Sequence, residues 1–184
     1  MKNLNQWFEN GITKEEYMND LDTHHQSFLH IYNHFNISQD DKAMLQNYNN
    51  IRMIVLAEAW CGHCMLNVPI LLRISEAGTI PISILRRDEN LELMDQYLTN
   101  NKRIIPMVIF IDEDGNELAK WGPMAPEIAA YSNDLKQDLP NKEDETYKEA
   151  FQKYIQKVSD RFTNDESFWN AVYIDMTNTL TSIT

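Results

Sequence analysis

The chain's only two cysteines, Cys61 and Cys64, stand two residues apart where an apolar strand hands over to an apolar helix. Met53, Ile54, Val55, Leu56 and Ala57 form a continuous apolar run, the pattern of a strand buried on both faces. Glu58-Ala59-Trp60-Cys61-Gly62-His63-Cys64 follows, and then Leu66, Val68, Ile70, Leu71 and Leu72 mark a helix. With a second strand from Ile80 and a helix after it, the middle of the chain reads strand, helix, strand, helix, which implies two parallel strands joined by a right-handed crossover.

The junction has a chemical rationale. A cysteine at a helix N-terminus meets free backbone N–H groups and the positive end of the helix dipole, which favour its thiolate. An ordinary thiol is only a few per cent ionised at neutral pH, whereas one lowered to about 7 is roughly half ionised. The two-residue spacing lets Cys64 reach a mixed disulfide formed at Cys61, and Gly62 permits the tight turn. His63, when protonated, would add a cation beside Cys61 and make the disulfide more oxidising.

The flanking segments read as follows. Tyr17, Leu21, His24, Phe28, Ile31, Tyr32 and Phe35 recur at helical spacing and predict one amphipathic helix, opened by a Thr13/Glu16 capping box and ended near Asn36. Ser38 and Asp41 predict a shorter second helix. His30 and His34 are four residues apart on the polar face, but no third ligand lies near, and no metal is assigned. His24, on the apolar stripe, reads as a core or interface residue.

Beyond the central unit, Ile80 to Leu85 predicts a second, parallel strand. Asp88 is expected to cap a helix running to Leu98. Met107–Ile111 and Glu117–Trp121, joined by Asp112-Glu113-Asp114-Gly115-Asn116, predict a hairpin opened by Pro106. Pro126 starts a helix, Tyr147 to Phe162 form another stripe, and Thr163 with Glu166 is expected to cap the last helix.

A net charge of −12 argues against nucleic-acid or anionic-membrane surfaces, which require clustered Lys and Arg. No stretch has the apolar length of a membrane span, and the N-terminus lacks a signal-peptide pattern. With no cysteine outside the pair there is no structural disulfide framework, so the expectation is a cytoplasmic protein.

Trp60-Cys61-Gly62-His63-Cys64 resembles the active site of the thioredoxin superfamily, and its Gly-His pair is similar to that of protein disulfide isomerase domains. Ile105-Pro106 resembles the cis-proline of that family, and Gly122 matches the glycine lining its substrate groove. Arg87-Asp88-Glu89-Asn90 through Leu98 and Trp121-Gly122-Pro123 resemble a bacterial thioredoxin-like group. The resemblance implies a thioredoxin-like α/β fold with a central mixed sheet of about four strands and helices on both faces. That fold would span residues 49–138, between helical extensions at 1–48 and 139–184.

It further implies a thiol-disulfide oxidoreductase with Cys61 as nucleophile and Cys64 as resolving residue. Trp60, Gly62, Ile105, Pro106 and Gly122 would bind substrate, and the disulfide itself would serve in place of any cofactor. The expected partners are a disulfide-containing protein or small thiol and a separate reductant. Three departures stand out. Val55 occupies the place of the buried aspartate of classical thioredoxins, leaving Glu58 as the candidate proton acceptor. Met65 replaces a common lysine, and Met107 a common threonine. A partner-binding module with incidental redox activity, and a metal or iron-sulfur carrier, are the alternative readings.

Overall fold

The computed structural model describes residues 3–183. In chain order the helices α1 (Leu4–Glu9), α2 (Lys14–Asn19), α3 (His25–His34) and α4 (Gln39–Leu45) precede strand β1 (Arg52–Ala57). Helix α5 (Gly62–Gly78), strand β2 (Ile82–Arg86) and the short helix α6 (Leu91–Met94) follow. The hairpin strands β3 (Met107–Ile111) and β4 (Glu117–Trp121) lead into helices α7 (Pro126–Gln137), α8 (Tyr147–Asn164) and α9 (Glu166–Thr181).

The strands form one mixed sheet in the order β2-β1-β3-β4, with β1 parallel to β2 and antiparallel to β3. β1 and β3 are central, which is why their apolar runs are unbroken: all five residues of β3 are buried. β4 lies at the edge and leaves Glu117 and Lys120 exposed, as an edge strand exposed to water requires. The other edge, β2, is covered by Ile12, which exchanges backbone hydrogen bonds with Ile84 at 2.7 and 3.1 Å. Gly11 permits that approach, because a Cβ there would lie 1.9 Å from Ser83 Oγ.

α5 is the central helix. α3, α4, α8 and α9 all pack on it, so nearly its whole circumference is apolar. Its buried residues include Leu66, Val68, Ile70, Leu71 and Leu72, and it tolerates Pro69 in its interior at the loss of one backbone donor. The C-terminal helices are tied back by Arg161, whose guanidinium lies 4.2 Å from the Tyr131 ring centroid and 4.1 Å from that of Phe168. Trp121 Nε1 donates to Asp175 Oδ2 at 2.7 Å, fastening α9 to β4.

Three local expectations are corrected. The stripe from Tyr17 to Phe35 is buried at Tyr17, Leu21, Phe28, Ile31 and Phe35, but two helices carry it, broken between Asn19 and His25. At the break Asp20 Oδ2 accepts from Arg86 Nε at 2.8 Å, and the chain folds back so that the Tyr17 and Phe28 rings meet at 6.0 Å. Asp88 caps no helix through Leu98. Its N–H donates to Glu58 Oε1 at 2.8 Å, and the segment forms a 3-10 turn followed by the single turn of α6. Thr163 spends its hydroxyl on the Ser159 carbonyl at 2.8 Å, and Asp165 caps α9 instead, accepting from Ser167 N at 2.9 Å. The Thr13/Glu16 capping box and the Ser38 cap form as expected.

Candidate active site

β1 ends at Ala57, and the turn Glu58-Ala59-Trp60 delivers Cys61 to the N-cap of α5. Cys61 N donates to the Glu58 carbonyl at 3.2 Å, while the Cys61 sulfur accepts from Cys64 N at 3.4 Å. Both thiols are free and both are buried, Cys61 at 8% exposure and Cys64 at 0%, so only Cys61 has an edge toward solvent.

This asymmetry separates their acidities. A hydrogen bond from the Cys64 thiol, with further donation from the Cys64 and His63 backbone and the nearby Arg87 charge, outweighs burial and brings the Cys61 thiol down to about 7. Cys64 moves the opposite way, well above the ordinary thiol, because burial and then the Cys61 sulfur both oppose its ionisation. Near neutral pH one sulfur is partly thiolate and the other stays protonated.

His63 behaves differently from the expectation of a cation. Burial, then the Lys136 charge, lowers its imidazole to about 4, so it is neutral at pH 7. Its ring packs against Phe162 of α8 at 5.5 Å between centroids. The residue therefore contributes packing and its backbone N–H to the site, and Arg87 is the cation that favours the Cys61 thiolate, after the hydrogen bonds from Cys64 and the His63 backbone. That arginine opens the Arg87-to-Leu98 segment that carries part of the family resemblance, but the resemblance gives it no role. Its place directly after a parallel neighbour of β1 is the available signal, since the ends of parallel strands share one side of a sheet.

Glu58 is buried at 7% exposure, and burial raises its carboxyl above the ordinary range. Its Oε1 accepts from Asp88 N at 2.8 Å, and its charge acts on Cys64 and opposes ionisation there. Its carbonyl also accepts from the Tyr17 hydroxyl at 3.1 Å, so α2 reaches beneath the site. No sequence pattern distinguishes Tyr17 from its neighbours on the stripe. Val55, where an acid was missing, is fully buried among apolar residues.

The Ile105–Pro106 peptide is cis, and the Ile105 carbonyl lies 3.8 Å from Cys61 Sγ. The pairing of Leu56 with Met107 brings this segment beside the end of β1. Gly122, at φ +127°, backs it, and a Cβ there would lie 2.3 Å from the Pro106 carbonyl oxygen. The Gly122–Pro123 bond is also cis. Trp60, the residue before Cys61, is 59% exposed. A cavity of about 270 Å³ opens next to it, with Trp60, Gly62 and His63 on one wall and Ile155, Val158 and Phe162 on the other. The residues expected to act together are thus brought together. The His30 and His34 rings meet at a tilt, 4.3 Å between centroids, and among the described residues no three His, Cys, Asp or Glu side chains converge on a point that could hold a metal.

A family profile described as thioredoxin matches residues 11–136. The chain belongs to the thioredoxin family. The fold also resembles that of a Pseudomonas aeruginosa protein of unknown function, at a TM-score of 0.67 and 17% identity over 97% of this chain and 99% of that one. An HIV epitope-scaffold matches at a TM-score of 0.59 and 15% identity, over 93% of this chain and 98% of its own. At such identities the likeness concerns the fold alone. No curated protein matches the chain. Among the described residues no helix is long and apolar enough to cross a membrane.

Proposed function

We propose that this thioredoxin-family chain is a thiol-disulfide oxidoreductase acting on a disulfide-containing protein or small thiol, within the bacterial-type group whose Trp-Cys-Gly-x-Cys and Trp-Gly-Pro segments it resembles. The observation that carries the reading is the placement of the pair, with Cys61 at the N-cap of α5, 3.8 Å from the Ile105 carbonyl and with an edge toward solvent, and Cys64 fully buried behind it; the acidities of the two thiols split accordingly. The Cys61 thiolate attacks one sulfur of the substrate disulfide, and the other substrate sulfur leaves as a thiolate. Cys64 then loses its proton, with buried Glu58 as the acceptor, and attacks the Cys61 sulfur. The second substrate thiol is released, and the Cys61–Cys64 disulfide holds the oxidising equivalents until an external dithiol reduces it. Ile105, held by Pro106 and backed by Gly122, offers its backbone to an extended substrate segment, and exposed Trp60 covers the attacked bond. With both cysteines spent on this site, the chain suits a reducing compartment, and the cytoplasm is the proposed location.

The test is a Cys64→Ser variant exposed to disulfide substrates. It is expected to accumulate a covalent mixed disulfide at Cys61, visible by mass and released by dithiothreitol. A variant that traps nothing, together with a Cys61 thiol that titrates like free cysteine, would refute the assignment.

A further inference from the structure

Arg87 ties together the separate pieces that surround the reactive sulfur. It directly follows β2, and the pairing of Ala57 with Arg86 puts it beside the turn that leads to Cys61. Its guanidinium lies 5.3 Å from the Trp60 ring centroid. Nη1 donates to the Arg103 carbonyl at 2.8 Å, two residues before the Ile105 carbonyl that faces Cys61. Nε pairs with Asp88 Oδ1 at 2.7 Å, and the Asp88 N–H is held by Glu58. One side chain, itself 16% exposed, therefore spans the Trp60 turn, the segment before Pro106 and the acid behind the pair.

We infer that Arg87 is the positioning residue of this redox site: it clamps Trp60 and the Arg103–Ile105 segment on either side of Cys61 and supplies the positive field in which the Cys61 thiolate forms. The inference rests on the proposed function only for the reading of Cys61 as the cysteine that ionises. Positive charge is scarce here. Glu58, Asp88 and Glu89 are the acids of the same turns, Arg86 is engaged by Asp20 Oδ2 at 2.8 Å, Arg103 is engaged by Asp95 Oδ1 at 2.6 Å, Lys136 of α7 acts on His63, and His63 is neutral. His24 Nε2 lies against the Trp60 carbonyl at 3.2 Å. Asp88 takes part of the Arg87 charge, but at 57% exposure it is well solvated, whereas the guanidinium is enclosed. The Arg87 charge is among the influences that lower Cys61. A lysine could not reproduce this arrangement, because its point charge cannot stack on Trp60 while donating from the side of a planar fork.

The experiment compares Arg87→Met and Arg87→Lys in the full chain, following ultraviolet thiolate absorbance and the rate of iodoacetamide alkylation against pH. In Arg87→Met the thiolate-to-thiol ratio at pH 7 is expected to fall roughly three- to tenfold, with the dithiol–disulfide equilibrium against glutathione moving toward the disulfide. Arg87→Lys should lie between that variant and the parent chain. If Arg87→Met fails to fold, Arg87→Gln keeps a donor for the Arg103 carbonyl and is expected to shift the same way. A profile superimposable on the parent overturns the inference, and so does an equal shift in the Lys and uncharged variants, which would reduce Arg87 to packing. Both readouts follow protonation and equilibrium without turnover. A normal Arg87 effect without mixed-disulfide trapping would thus sink the oxidoreductase reading and leave this one standing.

Discussion

Replacing His63 with leucine separates two roles that a histidine between paired cysteines could play. The imidazole is lowered from 6.5 to about 4 by burial against α8. At pH 7 a group with that acidity is charged in only about one molecule in a thousand, too few to hold a thiolate. The inflection of Cys61 alkylation near pH 7 is therefore expected to stay within about 0.3 unit in His63→Leu. The effect on stability is larger. A histidine whose folded acidity lies below its unfolded one stabilises the fold fully above the unfolded value of 6.5 and loses that contribution as pH falls toward 4. The displacement corresponds to at most about 3 kcal/mol, so urea unfolding of the parent chain should weaken between pH 7 and pH 4 by up to that amount more than His63→Leu does. Comparing the two chains cancels the other titrating groups, including Glu58, whose raised carboxyl acts with the opposite sign. An alkylation inflection that rises by a whole unit in the variant, or an acid sensitivity identical in both chains, would refute the neutral, buried assignment.

Gly122→Ala should destabilise the chain by roughly 2–4 kcal/mol in urea, since its Cβ would press on the Pro106 carbonyl from a left-handed backbone position. Mixed-disulfide formation at Cys61 should slow in parallel, because Ile105 moves with Pro106. Glu58→Gln keeps an acceptor for Asp88 N but removes the proposed proton acceptor. The mixed disulfide should then persist at least tenfold longer in stopped-flow quenching at neutral pH, while Cys61 alkylation stays unchanged.

What could be read in advance divides along physical lines. Cys61, Cys64 and the strand before them were legible because a continuous apolar run followed by a helix specifies its own local structure. The hairpin was legible too, through the Asp112 to Asn116 turn and the proline at its start. The charge state of His63 was not, because it depends on Phe162, a hundred residues away, lying over the ring. Nor was Arg87, whose position depends on which strand pairs with which and in what register. The interruption between Asn19 and His25 was hidden because tertiary packing of Tyr17 and Phe28 overrides a periodicity that continues unbroken. Asp88 was misread because its backbone N–H, free in isolation, is claimed by the carboxylate of Glu58.

The pairing of Ile12 with Ile84 has a consequence for how this molecule behaves at high concentration. A strand on the rim of a sheet offers its backbone to any chain that can align with it, and β2, the parallel neighbour of β1, would present such a rim. The segment around Ile12 occupies those groups intramolecularly, with Gly11 letting it lie close enough to do so. The first helices thereby serve as a guard against self-association as well as packing on the core. A shortened chain beginning after Thr13 would expose a template for sheet-to-sheet growth next to two thiols that could then crosslink the product.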